Sequence, residues 1–320
     1  MSGSMRLSGW RLAALPAVCV AVLLFMPGSA SATTYDIEKE IALYGDLDQN
    51  LVPVWGNVAC APTAAVNSFV YLQNKYPGIY DNLLVPQQGV DLDGDGDVDQ
   101  TDDMIAVVQK LGGQGYMNTQ PAIGTYTDDF FYGKHRYLEE VAPGRTRYEA
   151  MSVTSWVNPP NRVPAVPDPE EPDWVASNTA PTWDFLYNEL VDCEDVEIGV
   201  RYDSGGGHVL TLTSFHWDDA NDNGIIEQAE NAWIDYVDPL GGGSGTSNIW
   251  SGSAMVGGTA YNVIESDYGS GSWIAFAASE SPVPEPVTAF FFGTGLVGVA
   301  GIGRRRRRRR AAEPPAERRI

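Results

Sequence analysis

Hydrophobic residues follow two different periods along this 320-residue chain. The stretch from Ala61 to Lys75 has Pro62 in its first turn and no internal glycine, so it predicts a helix. Thr101 to Leu111 predicts a second, shorter helix that Gly112 and Gly113 end, and Trp183 to Leu190 a third. From Val196 onward the period falls to two. Val196, Ile198, Val200 and Tyr202 alternate with mostly polar neighbours, and Val209–Phe215, Ala232–Val237 and Trp273–Ala277 also read as strands. Residues 77–103 are rich in turn formers and carboxylates, and seven prolines between 158 and 182 predict an extended surface connection. Helices that lead and an antiparallel sheet that follows predict an α+β fold, with residues 33–283 as one domain and no repeat of fixed period.

The two ends carry apolar runs of another kind. Arg6 and Arg11, the apolar stretch from Leu12 to Phe25 and the small residues Ala30-Ser31-Ala32 make residues 1–32 a secretory signal peptide, with an uncleaved anchor as the alternative. At the other end Pro284-Glu285-Pro286 precedes an apolar run, residues 287–303, and seven arginines, Arg304 to Arg310, with a cytoplasmic tail over 311–320. Seventeen apolar residues lie at the short limit for one transmembrane segment, and arginines behind them stay on the cytoplasmic side. This order resembles the PEP-CTERM sorting signal of Gram-negative bacteria over residues 284–310. The resemblance implies an exosortase-type sorting enzyme and the secretion machinery as partners, inner-membrane anchoring on the periplasmic side, and then the cell surface or extracellular matrix. A plain tail anchor is the alternative, and either way residues 33–283 face outward.

Charge changes the picture of the middle. Residues 33–303 hold nine Lys+Arg against 40 Asp+Glu, a net charge of −31 where the whole chain has −22. Such a surface repels phosphate backbones, which argues against nucleic-acid binding, and it suits calcium, which takes oxygen ligands. With 43% hydrophobic residues and nine Trp the middle is globular.

Cys19 falls within the signal peptide, which leaves Cys60 and Cys193. Cys60 stands at the predicted helix start, where the positive end of the macrodipole and unpaired N–H groups favour negative charge on sulfur or on an oxyanion. Of three histidines (His135, His208 and His216), His208 follows Gly205-Gly206-Gly207 at the start of a predicted strand. Asp238, in Val237-Asp238-Pro239 at the end of the next strand, completes a nucleophile, base and orienter in that order. A Cys60–Cys193 disulfide is the competing use of the thiol in an oxidising compartment.

The order Cys-Ala-Pro-Thr-Ala from Cys60, Gly-His-Val-Leu-Thr-Leu from Gly207 and Val-Asp-Pro from Val237 resembles papain-like cysteine peptidases, and among them the bacteriocin-processing, C39-like group. The resemblance covers roughly residues 50–245 and implies a papain-like fold, a peptide or protein substrate, and nucleophile, base and orienter roles for Cys60, His208 and Asp238. The family places a Gln six residues before the Cys. Here Val54 stands there, Ala61 replaces a Gly, and Asn57 is the nearest side-chain amide. Two functions stay open: a thiol peptidase or related amide-cleaving enzyme, and a non-catalytic calcium-binding surface protein on a degenerate peptidase fold.

Two acidic loops have calcium spacing. In residues 91–102, Asp91, Asp93 and Asp95 take positions 1, 3 and 5 of a twelve-residue loop, Gly96 turns, Asp97 offers its carbonyl at 7 and Asp102 closes at 12, as in dockerins. In residues 219–230, Asp219, Asn221, Asn223, Ile225 (by its carbonyl) and Glu230 take the same roles, with Gly224 at the turn. This second loop lies between His208 and Asp238, so calcium there would fix how their strands meet.

Overall fold

The computed structural model describes residues 32–156, 172–192, 194–269 and 271–283. The signal peptide, the Pro-Glu-Pro motif, the 287–303 run, the arginines and Cys193 lie outside the described residues.

The chain opens with a strand, β1 (Thr33–Glu38), then runs through α1 (Cys60–Lys75), the short α2 (Pro77–Tyr80), α3 (Gln100–Gly112) and α4 (Thr127–Val141). Next come β2 (Thr146–Ser152), the two-residue β3 (Val175–Ala176) and α5 (Trp183–Val191). Six strands close the domain: β4 (Asp195–Tyr202), β5 (Gly207–Asp219), β6 (Ala232–Val237), β7 (Ser244–Val256), β8 (Thr259–Ser266) and β9 (Ser272–Pro282). Among the described residues nine strands form one sheet. The ladder β5-β6-β7-β8-β9 is joined at both ends by β4, so these six strands return on themselves; β1 adds to β5, and β2 with β3 to β9.

The expected papain-like α+β fold, helices first and an antiparallel sheet after, is therefore corrected. The molecule is a mixed, sheet-rich structure whose first element is a strand, with β2 and β3 inserted between helices and paired parallel to each other. The expected transmembrane segment has no support: among the described residues no helix is long and apolar enough to cross a membrane.

The reasons lie in the side chains. β7 reads Ser-Gly-Thr-Ser-Asn-Ile-Trp-Ser-Gly-Ser-Ala-Met-Val, too polar for an apolar alternation to show, yet it pairs with β8 over eight residues. Its Gly252 lies beneath the Glu265 side chain, where a Cβ would collide. α4 contains Gly133, which looks like a breaker in sequence but lets the helix lie against the Tyr116–Met117 backbone.

Two cores result. One joins α1, α3 and α4 to one face of the sheet through Phe69, Leu72, Ile105, Phe130 and Phe131. The other packs α5 and the closed strands through Leu186, Ile198, Leu212, Phe215 and Trp217. On its helix-facing side β4 carries two carboxylates instead of apolar residues. Lys134 of α4, fully buried, pairs with Glu197 of β4 and with Glu280 of β9, while Asp195 accepts from the Ser68 hydroxyl of α1. Burial and the Glu197 charge push Asp195 up to about 7, and the same two causes hold Glu280 well above an ordinary carboxyl.

Candidate functional site

The site grows from the way α1 is pinned to β5. The Thr211 hydroxyl of β5 donates to the Ala64 carbonyl of α1 at 2.9 Å, which holds the helix start three residues along the strand from His208. Ala59, the N-cap, offers no side-chain acceptor, so side chains leave the first-turn N–H groups at Cys60 uncapped. Cys60 is a partly exposed thiol, free among the described residues.

The sheet register brings up the other two groups. Val237, the last residue of β6, pairs with Thr211, so the end of β6 lies beside the start of β5. His208 Nε2 and Asp238 Oδ1 stand 2.7 Å apart, and Cys60 is near enough to the same ring to raise its pKa. Three residues separated by 148 and 30 positions thus converge, in the order that the motifs suggested.

Electrostatics fix the charge state. Burial pulls the His208 imidazole down, but its hydrogen bonds with Asp238 and Cys60 and their charges outweigh burial and leave it at about 9. Burial raises Asp238, yet hydrogen bonds from His208 and the Leu240 N–H, the imidazolium charge and a bond from Tyr268 bring it below the usual carboxylate value. At neutral pH the ring is an imidazolium between a carboxylate and a sulfur.

Asn57, in a single 3₁₀ turn three residues before Cys60, is exposed and makes no bond to the pair. Val54 is 82% exposed. Gln49, 1% exposed, flanks the Asp238 side of the site: its backbone N–H donates to the Pro239 carbonyl at 2.7 Å, and its side-chain oxygen has no partner among the described residues.

Two tyrosines escaped the sequence reading. Tyr268, after β8, donates to Asp238 Oδ2 at 2.9 Å, and its ring lies parallel to the imidazole within 3° at 5.8 Å. Tyr202, at the end of β4, stacks on Tyr268 at 6.3 Å. Only the alternation that put Tyr202 on the same strand face as Val200, the cross-strand partner of His208, hinted at either.

The two acidic loops share one wiring. Position 1 accepts from the glycine N–H at 6 (Gly96 to Asp91 at 3.2 Å, Gly224 to Asp219 at 3.0 Å). Position 3 accepts from 5 (Asp93 from Asp95, Asn221 from Asn223), and position 5 from 7 (Asp95 from Asp97, Asn223 from Ile225). Position 12 accepts from 2 and 9: Asp102 from Leu92 and Asp99, Glu230 from Ala220 and Glu227. Asp91, Asp93 and Asp95 bring one oxygen each within 4.8 Å of one another. Asp95, by charge and hydrogen bonding, pushes Asp97 up, a repulsion that a cation relieves.

Asp195, Glu197 and Glu280 also gather within 4.8 Å, but Lys134 already supplies a cation to two of them. No protein-family model matches the chain, and no curated protein is significantly similar to it.

Proposed function

We propose that this chain is an exported thiol peptidase or a related amide-cleaving enzyme, stabilised by calcium. The observation that carries it is His208 at 2.7 Å from Asp238, with the Cys60 thiol near enough to act on the same ring. Sulfur attacks the substrate carbonyl, the imidazolium gives its proton to the leaving amine, and Asp238 holds the ring in place. The uncapped N–H groups at the start of α1 would receive the oxyanion. Kinship with the C39-like peptidases rests on the three short motifs alone.

Calcium would sit in loops 91–102 and 219–230, held by Asp91, Asp93, Asp95, Asp102 and the Asp97 carbonyl, and by Asp219, Asn221, Asn223, Glu230 and the Ile225 carbonyl. It supplies structure, not chemistry. Export by residues 1–32 and PEP-CTERM sorting by 284–310 complete the proposal.

The exposure of both Val54 and Asn57 favours a second reading, a binding module that has lost the oxyanion donor. Alkylation by iodoacetamide separates the two. A thiol peptidase shows Cys60 modified far faster than free cysteine at pH 6, with the excess lost in His208→Ala. Alkylation at the rate of free cysteine and indifferent to His208 sinks the enzyme.

A further inference from the structure

Asp238 is only partly buried, at 21% side-chain exposure, and its bond to His208 would compete with water if nothing held it. The structure shows what holds it. Oδ1 takes both His208 Nε2 and the Leu240 N–H at 2.8 Å, and Oδ2 takes the Tyr268 hydroxyl at 2.9 Å. The Tyr268 ring also lies parallel to the imidazole and offset from it, at 5.8 Å between centroids, and Tyr236 meets that ring edge-on at 5.5 Å. We propose that Tyr268 is a positioning residue of the thiol site, its phenol fixing the orientation of the Asp238 carboxylate and its ring shielding the His208–Asp238 bond from water.

Each part has a physical ground. A carboxylate held at one oxygen can still turn about its last torsion; a donor on the second oxygen stops the turn. Burial and the adjacent Asp238 charge hold the Tyr268 phenol far above its ordinary value, so it remains a donor throughout the working pH range. Tyr268 lies in a turn between β8 and β9, flanked by Asp267 and Gly269. Asp267 accepts from the Asn248 N–H of β7 at 2.8 Å and from its side-chain amide at 2.7 Å. That double anchor fixes the turn from which Tyr268 reaches across to the end of β6.

The proposal rests on the enzymatic reading of Cys60 and His208, and the test separates the two. In the full exported protein, the rate of Cys60 alkylation by iodoacetamide is followed from pH 5 to pH 10. Tyr268→Phe keeps the ring and removes the hydroxyl. Expected is a loss of about tenfold at pH 7, the scale of one hydrogen bond to a charged group, and an alkaline limb that moves down from about 9 toward an ordinary imidazole. If Tyr268 merely drew charge from Asp238, removing it would strengthen the Asp238–His208 bond and move the limb up. A limb unmoved or raised overturns the proposal. Loss of the His208 dependence in the parent protein overturns the enzymatic reading instead. A second readout needs no variant at Tyr268: its hydroxyl proton should give a downfield, slowly exchanging resonance that vanishes in Asp238→Ala. Its absence in the parent protein also counts against the proposal.

Discussion

Val54 holds φ at 82° with its side chain 82% exposed, a conformation that a β-branched residue adopts only at a cost of about 1–3 kcal/mol. Gly56, two residues on, turns the same way at 45°, and its N–H returns to the Val52 carbonyl at 3.1 Å. Nothing buried rewards the valine. Val54→Gly should therefore stabilise the fold by about 0.5–1 kcal/mol after the entropy cost of glycine, a melting point higher by roughly 1–4 °C. A melting point below that of the parent would show that the strain is absent. Residues of this kind mark the limit of sequence reading. Cys60, His208 and Asp238 were legible because each carries a local sign: a helix start, a glycine turn before a strand, a carboxylate after one. Tyr268 carries none, since its partner lies 30 positions away and its turn is polar. Gln49 carries no sign either, since the spacing of the peptidase motif falls on residue 54.

Among the elements, α1, α3, α5 and the strands β4, β5, β6 and β9 were legible from period and caps. β7 is hidden because serine and glycine fill its positions, and β8 because its two buried apolar residues, Val263 and Ile264, are adjacent instead of alternating. The topology is hidden for another reason: β1 and β2 alternate, but their partners β5 and β9 are distant in sequence and no local pattern names them. The same distance hides the charges between α4, β4 and β9. Lys134 reaches Glu197, 63 positions on, and Glu280, 146 positions on, and is stabilised as a cation despite full burial. Lys134→Met leaves those carboxylates buried without their counter-ion and should cost about 3–5 kcal/mol. Denaturant unfolding measures it, and a cost under about 1 kcal/mol would show the pairs to be dispensable. Asp195 adds a pH signature. Its folded value of about 7 exceeds its ordinary 3.8, so the folded state keeps a proton that the unfolded chain has released. This group therefore removes stability as pH rises from about 4 to about 7, and Asp195→Asn should flatten the decline over that window.

At the scale of the molecule, one chemical fact touches every part: the excess of carboxylates. With 40 acidic against nine basic side chains in residues 33–303, the folded domain works against its own repulsion. The pairs that relieve it are few. Two clusters of acceptors sit in loops whose hydrogen bonding matches position by position, and they brace different parts of the fold: residues 91–102 lead into α3, whose N-cap is Asp99, and residues 219–230 join β5 to β6. Thr33, the first residue of β1, donates to Asp222 in the second loop at 3.0 Å, which ties the opening strand to the same hairpin. Calcium in both loops should thus raise the stability of the whole domain. A single site filled a hundredfold above its dissociation constant adds about 2.7 kcal/mol, roughly 5–10 °C of melting temperature for a domain of this size. Melting the protein with excess calcium and again with a chelator measures the difference. Asp91→Ala should remove one share of it and leave the reactivity of Cys60 intact. Asp219→Ala should remove the other share and lower that reactivity as well, because β5 and β6 carry His208 and Asp238. Equal melting temperatures with and without calcium would mean that the repulsion is borne by solvent alone and that neither loop is a cation site.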